Sequence, residues 1–219
     1  MKPIATIYTD FPQKFGIPRQ SGLVETLEGK IIFEKPFRNK DAVRGLEGFS
    51  HLWLIWEFSE NKTHPFSPTV RPPRLGGNIR MGVFATRSPF RPNPIGLSCV
   101  KIAHIDLEGD EAPIIYVHGA DLMNGTPIFD IKPYVREDCH PDARCGFTDE
   151  KSFPQARVHI NEAFKAALGE KAQTLIRVLE NRPVPAYQSD PQRVYGMSFA
   201  GKEIRFTVDG DEIEVVSVE

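Results

Sequence analysis

The sequence predicts a mainly β protein in two unequal parts: a larger region of closed antiparallel β architecture and a small α+β lobe after it. Three observations carry this. Short β-type runs recur through the first two-thirds between Gly, Pro and charged turns, no segment of helical period lies among them, and one strongly periodic helical stretch is confined to the last third. At 219 residues and 40% hydrophobic content the chain can bury one good core and a smaller second lobe, since single domains commonly hold about 100–200 residues.

In order, the β-type runs are IATIYT (4–9), KIIFE (30–34), HLWLIWEF (51–58), MGVFAT (81–86), SCVKIAHI (98–105), APIIYVHG (112–119) and PIFDI (127–131). The run at 52–58 is apolar on both faces, so it is expected in the core with Trp53 and Trp56 both packed there. The segment 135–155 is polar and turn-rich without apolar periodicity and reads as a long loop or linker, dividing the chain into 1–150 and 151–219. Beyond it Asn161 can cap a single helix. Phe164, Ala167, Leu168, Ala172, Leu175, Ile176 and Leu179 recur there at spacings of three and four, and Asn181 and Pro183 end it. Asp209-Gly210 between EIRFTV and EIEVVSV predicts a tight hairpin of type I′.

Charge is distributed unevenly along the chain. The formal net charge is −2, yet the window from Asn61 to Ile105 contains none of the 29 acidic residues and seven of the 27 basic ones: Lys62, Arg71, Arg74, Arg80, Arg87, Arg91 and Lys101. Five are arginines on Pro- and Gly-rich irregular backbone, where planar forks can bind carboxylate or phosphate in bidentate fashion. A merely solvated face would more often use lysine and glutamate. The pI near 6.3 excludes a wholly basic nucleic-acid coat, so any nucleic-acid contact must be local.

Other classes are narrowed by what the chain lacks. There is no GxGxxG after a strand, no Walker loop, no HExxH and no GxSxG. Cys139-His140 with Cys145 lacks the spacing of a zinc site, and no metal is expected. His51, His64, His104, His118, His140 and His159 are scattered, and nucleophilic catalysis has no positive support. Three cysteines are too few and too odd for a disulfide framework. The longest apolar run, Leu52 to Trp56, is far short of the ~20 residues that cross a bilayer, and a cytoplasmic protein is expected.

What remains is GVFATRSPFRPNPIGLS (82–98), preceded by TVRPPRLGGNIR (69–80) and followed by DLMNGTPIFDIKPY (121–134), together with PRQ (18–20), AVRGLEGFSHLWLIWEF (42–58) and PAY (185–187). In these segments the chain resembles the TsaA-like, or TrmO, family of S-adenosylmethionine-dependent tRNA methyltransferases, which act on N6 of the threonylcarbamoyladenosine 3′ to the anticodon. The resemblance implies a β-barrel N-terminal domain that binds the methyl donor without a Rossmann fold. It also implies a smaller C-terminal domain in contact with tRNA, and a homodimer with the donor near the subunit interface. By position the donor would be held by Thr9, Asp10 and Phe11, by Ser50 and His51, by Arg87 and Leu97, and by Asp121, Leu122, Met123, Asn124 and Gly125. The family's usual DPRPAY segment is here Arg182-Pro183-Val184-Pro185-Ala186-Tyr187, so its contacts with the substrate must differ.

Arg87 and Arg91 frame Ser88-Pro89-Phe90, a rigid turn whose forks could clamp the donor's carboxylate or an RNA phosphate; the plain alternative is two surface arginines in rim ion pairs. Arg71, Arg74 and Arg80 are expected to follow the RNA backbone unless they are only solvated charge. Arg19 and Gln20, fixed by Pro18, are expected to reach an unstacked loop, although a polar turn would look the same. Alone, His51 would read as a satisfied core histidine, and turn chemistry alone would explain Asn124-Gly125.

Asp130, Lys132 and Tyr134 should share one strand face. Asp130 and Tyr187 are the candidate acceptors of the N6 proton, Arg91 or Lys132 the candidate partner of the threonyl carboxylate, and Phe90 or Tyr187 a stacking surface for the base. Two rival readings stay open at this stage: a non-catalytic adaptor that binds the donor and RNA, and a methyltransferase for a small carboxylate-bearing metabolite.

Overall fold

Burial alternates residue by residue along the N-terminal strands, and that alternation lets a sheet close on an apolar interior. The computed structural model describes residues 1–61, 66–150, 155–184 and 190–219. Its barrel strands are β1 (Ala5–Thr9), β2 (Glu28–Phe33), β3 (His51–Glu57), β6 (Ile95–Asp106), β7 (Ile114–His118) and β8 (Thr126–Pro133). They close in the order β1-β2-β7-β6-β3-β8, every pairing antiparallel. Ile7, Ile31, Leu52, Leu54, Val100, Ile115, Val117 and Ile128 fill the interior. Two further strands, β4 (Thr69–Val70) and β5 (Met81–Gly82), form a short separate pair on the connection between β3 and β6.

Strand period corrects one expectation. Leu52, Leu54 and Trp56 point inward along β3, whereas Trp53 stands on the outer face and donates its Nε1–H to Asp138 at 2.9 Å. A strand apolar on both faces conceals its orientation in the sequence; here the segment after β8 covers the outer side. The run 81–86 is likewise strand only at Met81–Gly82. Val83–Ala85 is a 3-10 turn, because Thr86 bonds back to the Val83 carbonyl through both its N–H and its hydroxyl, removing the donor that a ladder would need.

The second lobe holds a four-stranded sheet, β10 (Tyr195–Phe199), β11 (Lys202–Asp209), β12 (Glu212–Val218) and β9 (Arg157–His159), with β9 parallel to β12. A four-residue α1 (Phe147–Glu150) precedes it. Asn161 caps α2 (Glu162–Leu168) by accepting the Phe164 N–H at 2.8 Å, as its position implies. The expected single helix is nevertheless broken. Gly169 adopts φ +55, which an α-helix cannot continue through, and a 3-10 turn at Gly169–Lys171 leads into α3 (Ala172–Glu180). The hairpin also differs from type I′. Asp209 pairs with Glu212, so Gly210 and Asp211 are the central residues, and only Gly210 has positive φ, the pattern of a turn with glycine first.

The two parts share one core. Phe11, Val24 and Leu27, from the chain between β1 and β2, are buried with Leu175, Met197, Phe199 and Phe206, and the Phe11 and Phe199 ring centroids lie 5.3 Å apart. Gly16, at φ +99, lies so close to Met197 that a Cβ would come within 2.3 Å of the methionine methyl. The segment carrying Pro18-Arg19-Gln20 is therefore anchored from both sides.

Candidate active site

Where β3 and β6 run out beside the irregular chain 83–94, a cavity of ≈ 460 Å³ opens. Its floor is Trp56, 7% exposed, lying flat on Gly96, where a Cβ would meet the indole at 2.3 Å. Only glycine allows that contact. The indole Nε1–H donates to Ser98 Oγ at 3.0 Å, and the Ser98 hydroxyl donates to Asp121 Oδ1 at 2.6 Å. Ser98 is fully buried, so this relay runs from the cavity floor to its acidic wall.

Burial pushes the Asp121 carboxyl above the usual carboxylate range, opposed by the Ser98 hydroxyl, by the backbone N–H groups of Asp121 and Ser21, and by the charge of Arg87. Ser21 also accepts the Cys99 N–H through its Oγ at 3.1 Å, tying the loop that carries residues 18–20 to β6. Across the cavity Arg87 donates to Gln20 Oε1 at 2.6 Å, and Gln20 in turn donates to the Arg19 carbonyl at 2.6 Å. Only one Arg87 nitrogen is used in that bond, so the guanidinium keeps donors for a planar anion. Leu97, Ile95 and Met123 give the cavity apolar sides.

The structure thus brings together Arg19, Gln20, Arg87, Arg91, Leu97, Asp121 and Met123. Phe11 and Leu122 are fully buried in the core and can offer only backbone. They build the loop: Asn124 N–H donates to the Phe11 carbonyl at 2.7 Å, the Thr9 hydroxyl to the Leu122 carbonyl at 2.9 Å, and Gly125, at φ +79, to the Ile7 carbonyl at 2.9 Å. Asn124 Oδ1 accepts the Thr9 N–H at 3.0 Å. Arg91 staples the arginine loop from within, donating to the Thr86 carbonyl at 2.8 Å and stacking over Phe84 at 5.5 Å.

Other candidates lie elsewhere. Ser50 and His51 sit at the opposite end of β3 from Trp56, their side chains 2.9 Å apart. Asp10 pairs with Lys171 at 2.9 Å, and Asp130 with Lys132 at 2.9 Å on the barrel's outer wall, away from the cavity. Arg71 and Arg80 are exposed on the β4–β5 loop, where Arg80 donates to Thr69 Oγ1 at 2.8 Å. The Arg74 side chain and Tyr187 lie outside the described residues. Trp56, Ser98 and Thr126 line or buttress the cavity; they stand inside the segments that carry the family resemblance, but nothing in their local sequence assigns them to a site. No group of three potential metal ligands occurs among the described residues, nor a helix long and apolar enough to cross a membrane.

Fold and site together define a class: closed β-barrel proteins with a cavity lined by arginines and a partly buried carboxylate and without a glycine-rich phosphate loop. Two family models match, the tRNA-methyltransferase O N-terminal domain over residues 6–139 and the TrmO C-terminal domain over residues 154–219, and the chain belongs to the TrmO family. It is 38% identical to the tRNA (adenine(37)-N6)-methyltransferase of Escherichia coli K12, the match covering 99% of this chain and 96% of that one. The Eikenella corrodens enzyme of the same name is 44% identical over 74% of this chain and 92% of its own. Among solved structures, TrmO from Pseudomonas aeruginosa superposes with a TM-score of 0.77 at 33% identity, covering 99% of this chain and 94% of that one.

Proposed function

We propose that the protein is an S-adenosylmethionine-dependent tRNA methyltransferase that methylates N6 of the adenosine 3′ to the anticodon, adenosine 37, in its threonylcarbamoyl form, in the cytoplasm. Family membership supports the activity, and the cavity framed by Arg87, Gln20, Asp121, Met123 and Leu97 is the single observation that carries the site. Its chemistry suits the donor: apolar walls for the purine and methylene portions and spare guanidinium donors for the carboxylate. When bound, S-adenosylmethionine supplies an electrophilic methyl group.

Everything else falls to the chain. Arg87 and Gln20 fix the donor's polar end, the Trp56 floor excludes water, and the loop 121–125 presents backbone groups to a base edge. As N6 forms its new bond to carbon it must lose a proton. Asp130 is held by Lys132 outside the cavity, whereas Asp121 is inside it with raised basicity, so Asp121 takes the role of acceptor. The threonyl carboxylate falls to Arg91, which lines the cavity, rather than to Lys132, which is outside it.

Ser50 and His51 lie about five or six residue steps along the chain from Trp56, roughly 17–20 Å at ~3.3 Å per residue, too far to share its cavity. In a homodimer the partner subunit would bring its own copies near, and Leu97, exposed at the cavity, with the exposed Phe84 and Phe90 of the adjoining chain 83–94, supplies an apolar surface for that association. The activity is tested by methyl transfer to tRNA prepared with and without the threonylcarbamoyl group, read by nucleoside mass. A gain of one methyl on the modified nucleoside is expected; no methylated product with either tRNA overturns the reading.

A further inference from the structure

A second cavity, ≈ 590 Å³, lies on the other side of the Asp121–Thr126 loop, between the outer wall of the barrel and Lys171 of the second lobe. Strand register builds its wall. Tyr8 pairs with Lys30, Lys30 with Tyr116, and Tyr116 with His104, so four outward-facing residues form one row across β1, β2, β7 and β6. A neighbouring row runs Glu28, His118, Lys101, His51 across β2, β7, β6 and β3. Solvated strand faces ordinarily carry charged residues and threonine. Here the two rows carry aromatic rings, imidazoles and lysines, with Glu28 their one acid.

The geometry of these groups is that of a stacking surface. The His104 and Tyr116 rings lie parallel, 4.2 Å between centroids and 11° between planes, and Tyr8 is 45% exposed beside them. His118 Nδ1 is buried without a hydrogen-bond partner, an unmet demand for a polar ligand atom. The acids are tied back, because Lys171 binds both Asp10 at 2.9 Å and Glu28 at 2.7 Å, leaving one net negative charge among the three groups. The cations are available: Lys30 meets Glu111 only at 3.8 Å, and Lys101 is exposed with no ion pair among the described residues.

We propose that this groove is a subsite for an unpaired nucleobase flanking the reacting adenosine, stacked on the Tyr116–His104 pair, with the adjoining phosphates at Lys30 and Lys101. The inference rests on the tRNA reading above. Rings spaced along a sheet face with cations between them suit single-stranded RNA, since every base has a π-face and every linkage a charge. A second copy of the chain is the poorer occupant: the groove exposes no Leu, Ile, Met or Phe side chain. Continuity supports the assignment. Thr9 lines the groove and bonds to Leu122 and Asn124, in the loop whose Asp121 and Met123 line the first cavity, so a strand delivering its base there passes the groove.

The test uses the full chain with Tyr116→Ala, His104→Ala and Tyr116→Trp, titrating a fluorescent anticodon stem-loop and a fully paired stem of the same length. Base–aromatic stacking of ~1–3 kcal/mol predicts a loss of about 5- to 150-fold in stem-loop affinity for each alanine variant and near-normal affinity for Tyr116→Trp. The paired stem should bind all variants alike, and donor affinity should hold. Unchanged stem-loop affinity in both alanine variants overturns the proposal. So does a fall in solution mass, which would make the face a contact between copies. Methyl transfer by the wild type judges the activity separately; the groove is judged on RNA affinity alone.

Discussion

The two cavities, one on each side of the Asp121–Thr126 loop, are built by opposite means. The first joins strand ends, where Trp56 lies on Gly96, to irregular backbone that supplies prolines and arginines, Arg91 being fixed by bonds to carbonyls. The second is a regular strand face, whose side chains are placed by register alone. Irregular chain at a strand end can converge a fork and a carboxylate over an indole on one small ligand, which chemistry demands. A pleated wall instead repeats equal spacings, which suits a repeating polymer. The difference suggests a division of labour between donor and reacting base on one side and RNA strand on the other.

The strongest way to break that division is Asp121→Asn. If the carboxylate takes the N6 proton, transfer to tRNA falls by roughly 10²- to 10⁴-fold while donor affinity and stem-loop affinity stay near normal. A proportional loss of donor binding would instead make Asp121 a donor contact. The pH profile sharpens the same point. Because burial raises its pKa, the wild-type carboxylate is still protonated at pH values where an ordinary aspartate is ionised, so transfer should rise with pH over that interval. The residual activity of Asp121→Asn should show no such limb.

Arg87→Ala ranks next. Losing a charge-assisted contact worth about 1.5–3 kcal/mol should weaken the donor about 10- to 150-fold, with stem-loop binding retained, as read by calorimetry. Gly96→Ala follows. Its Cβ would meet the Trp56 ring at 2.3 Å and push the indole off Ser98, costing about 1–3 kcal/mol of stability in denaturant unfolding and closing the first cavity only. An alanine variant with wild-type stability and donor affinity would show that the floor yields.

The smallest effect belongs to the clamp joining barrel and second lobe. The hydrogen bond from Lys171 holds the Glu28 carboxyl below its usual range; burial opposes the Lys171 charge, yet Asp10 and Glu28 outweigh it and raise the ammonium. The Glu28 contribution is present above the unfolded carboxylate pKa and lost as pH falls through the lowered one. The Lys171 contribution is present below the unfolded amine pKa and lost as pH rises through the raised one. The stability difference between wild type and Lys171→Met should therefore be greatest at intermediate pH and shrink toward both extremes. These groups are partly exposed, so the effect is modest and salt-sensitive. A difference that is flat with pH would remove the clamp from the comparison.

Much of the fold is legible in local chemistry. Asn161 caps its helix, Gly210 turns its hairpin, and the β-type runs at 4–9 and 30–34, rich in branched and aromatic residues, are strands. The first cavity is partly legible too, because Arg87 and Gln20 stand in motifs. What could not be read depends on partners distant in sequence. Trp53 and Trp56 look alike in a run apolar on both faces, and only the covering segment with Asp138 decides which faces out. Gly169 interrupts a perfectly periodic stripe, and periodicity does not register a positive φ. Ser98 reaches Asp121 and Trp56 across the sheet, and Tyr8, Lys30, Tyr116 and His104 share a row only once the barrel closes. Cross-strand register is set by global closure, and no local window contains it.

The division between the cavities is tested most directly by titrating S-adenosylmethionine into wild type, Arg87→Ala and Tyr116→Ala under one set of conditions. The expected result is a donor affinity at least about tenfold weaker in Arg87→Ala and indistinguishable from wild type in Tyr116→Ala. Equal donor affinity in Arg87→Ala, or a matching loss in Tyr116→Ala, would contradict it.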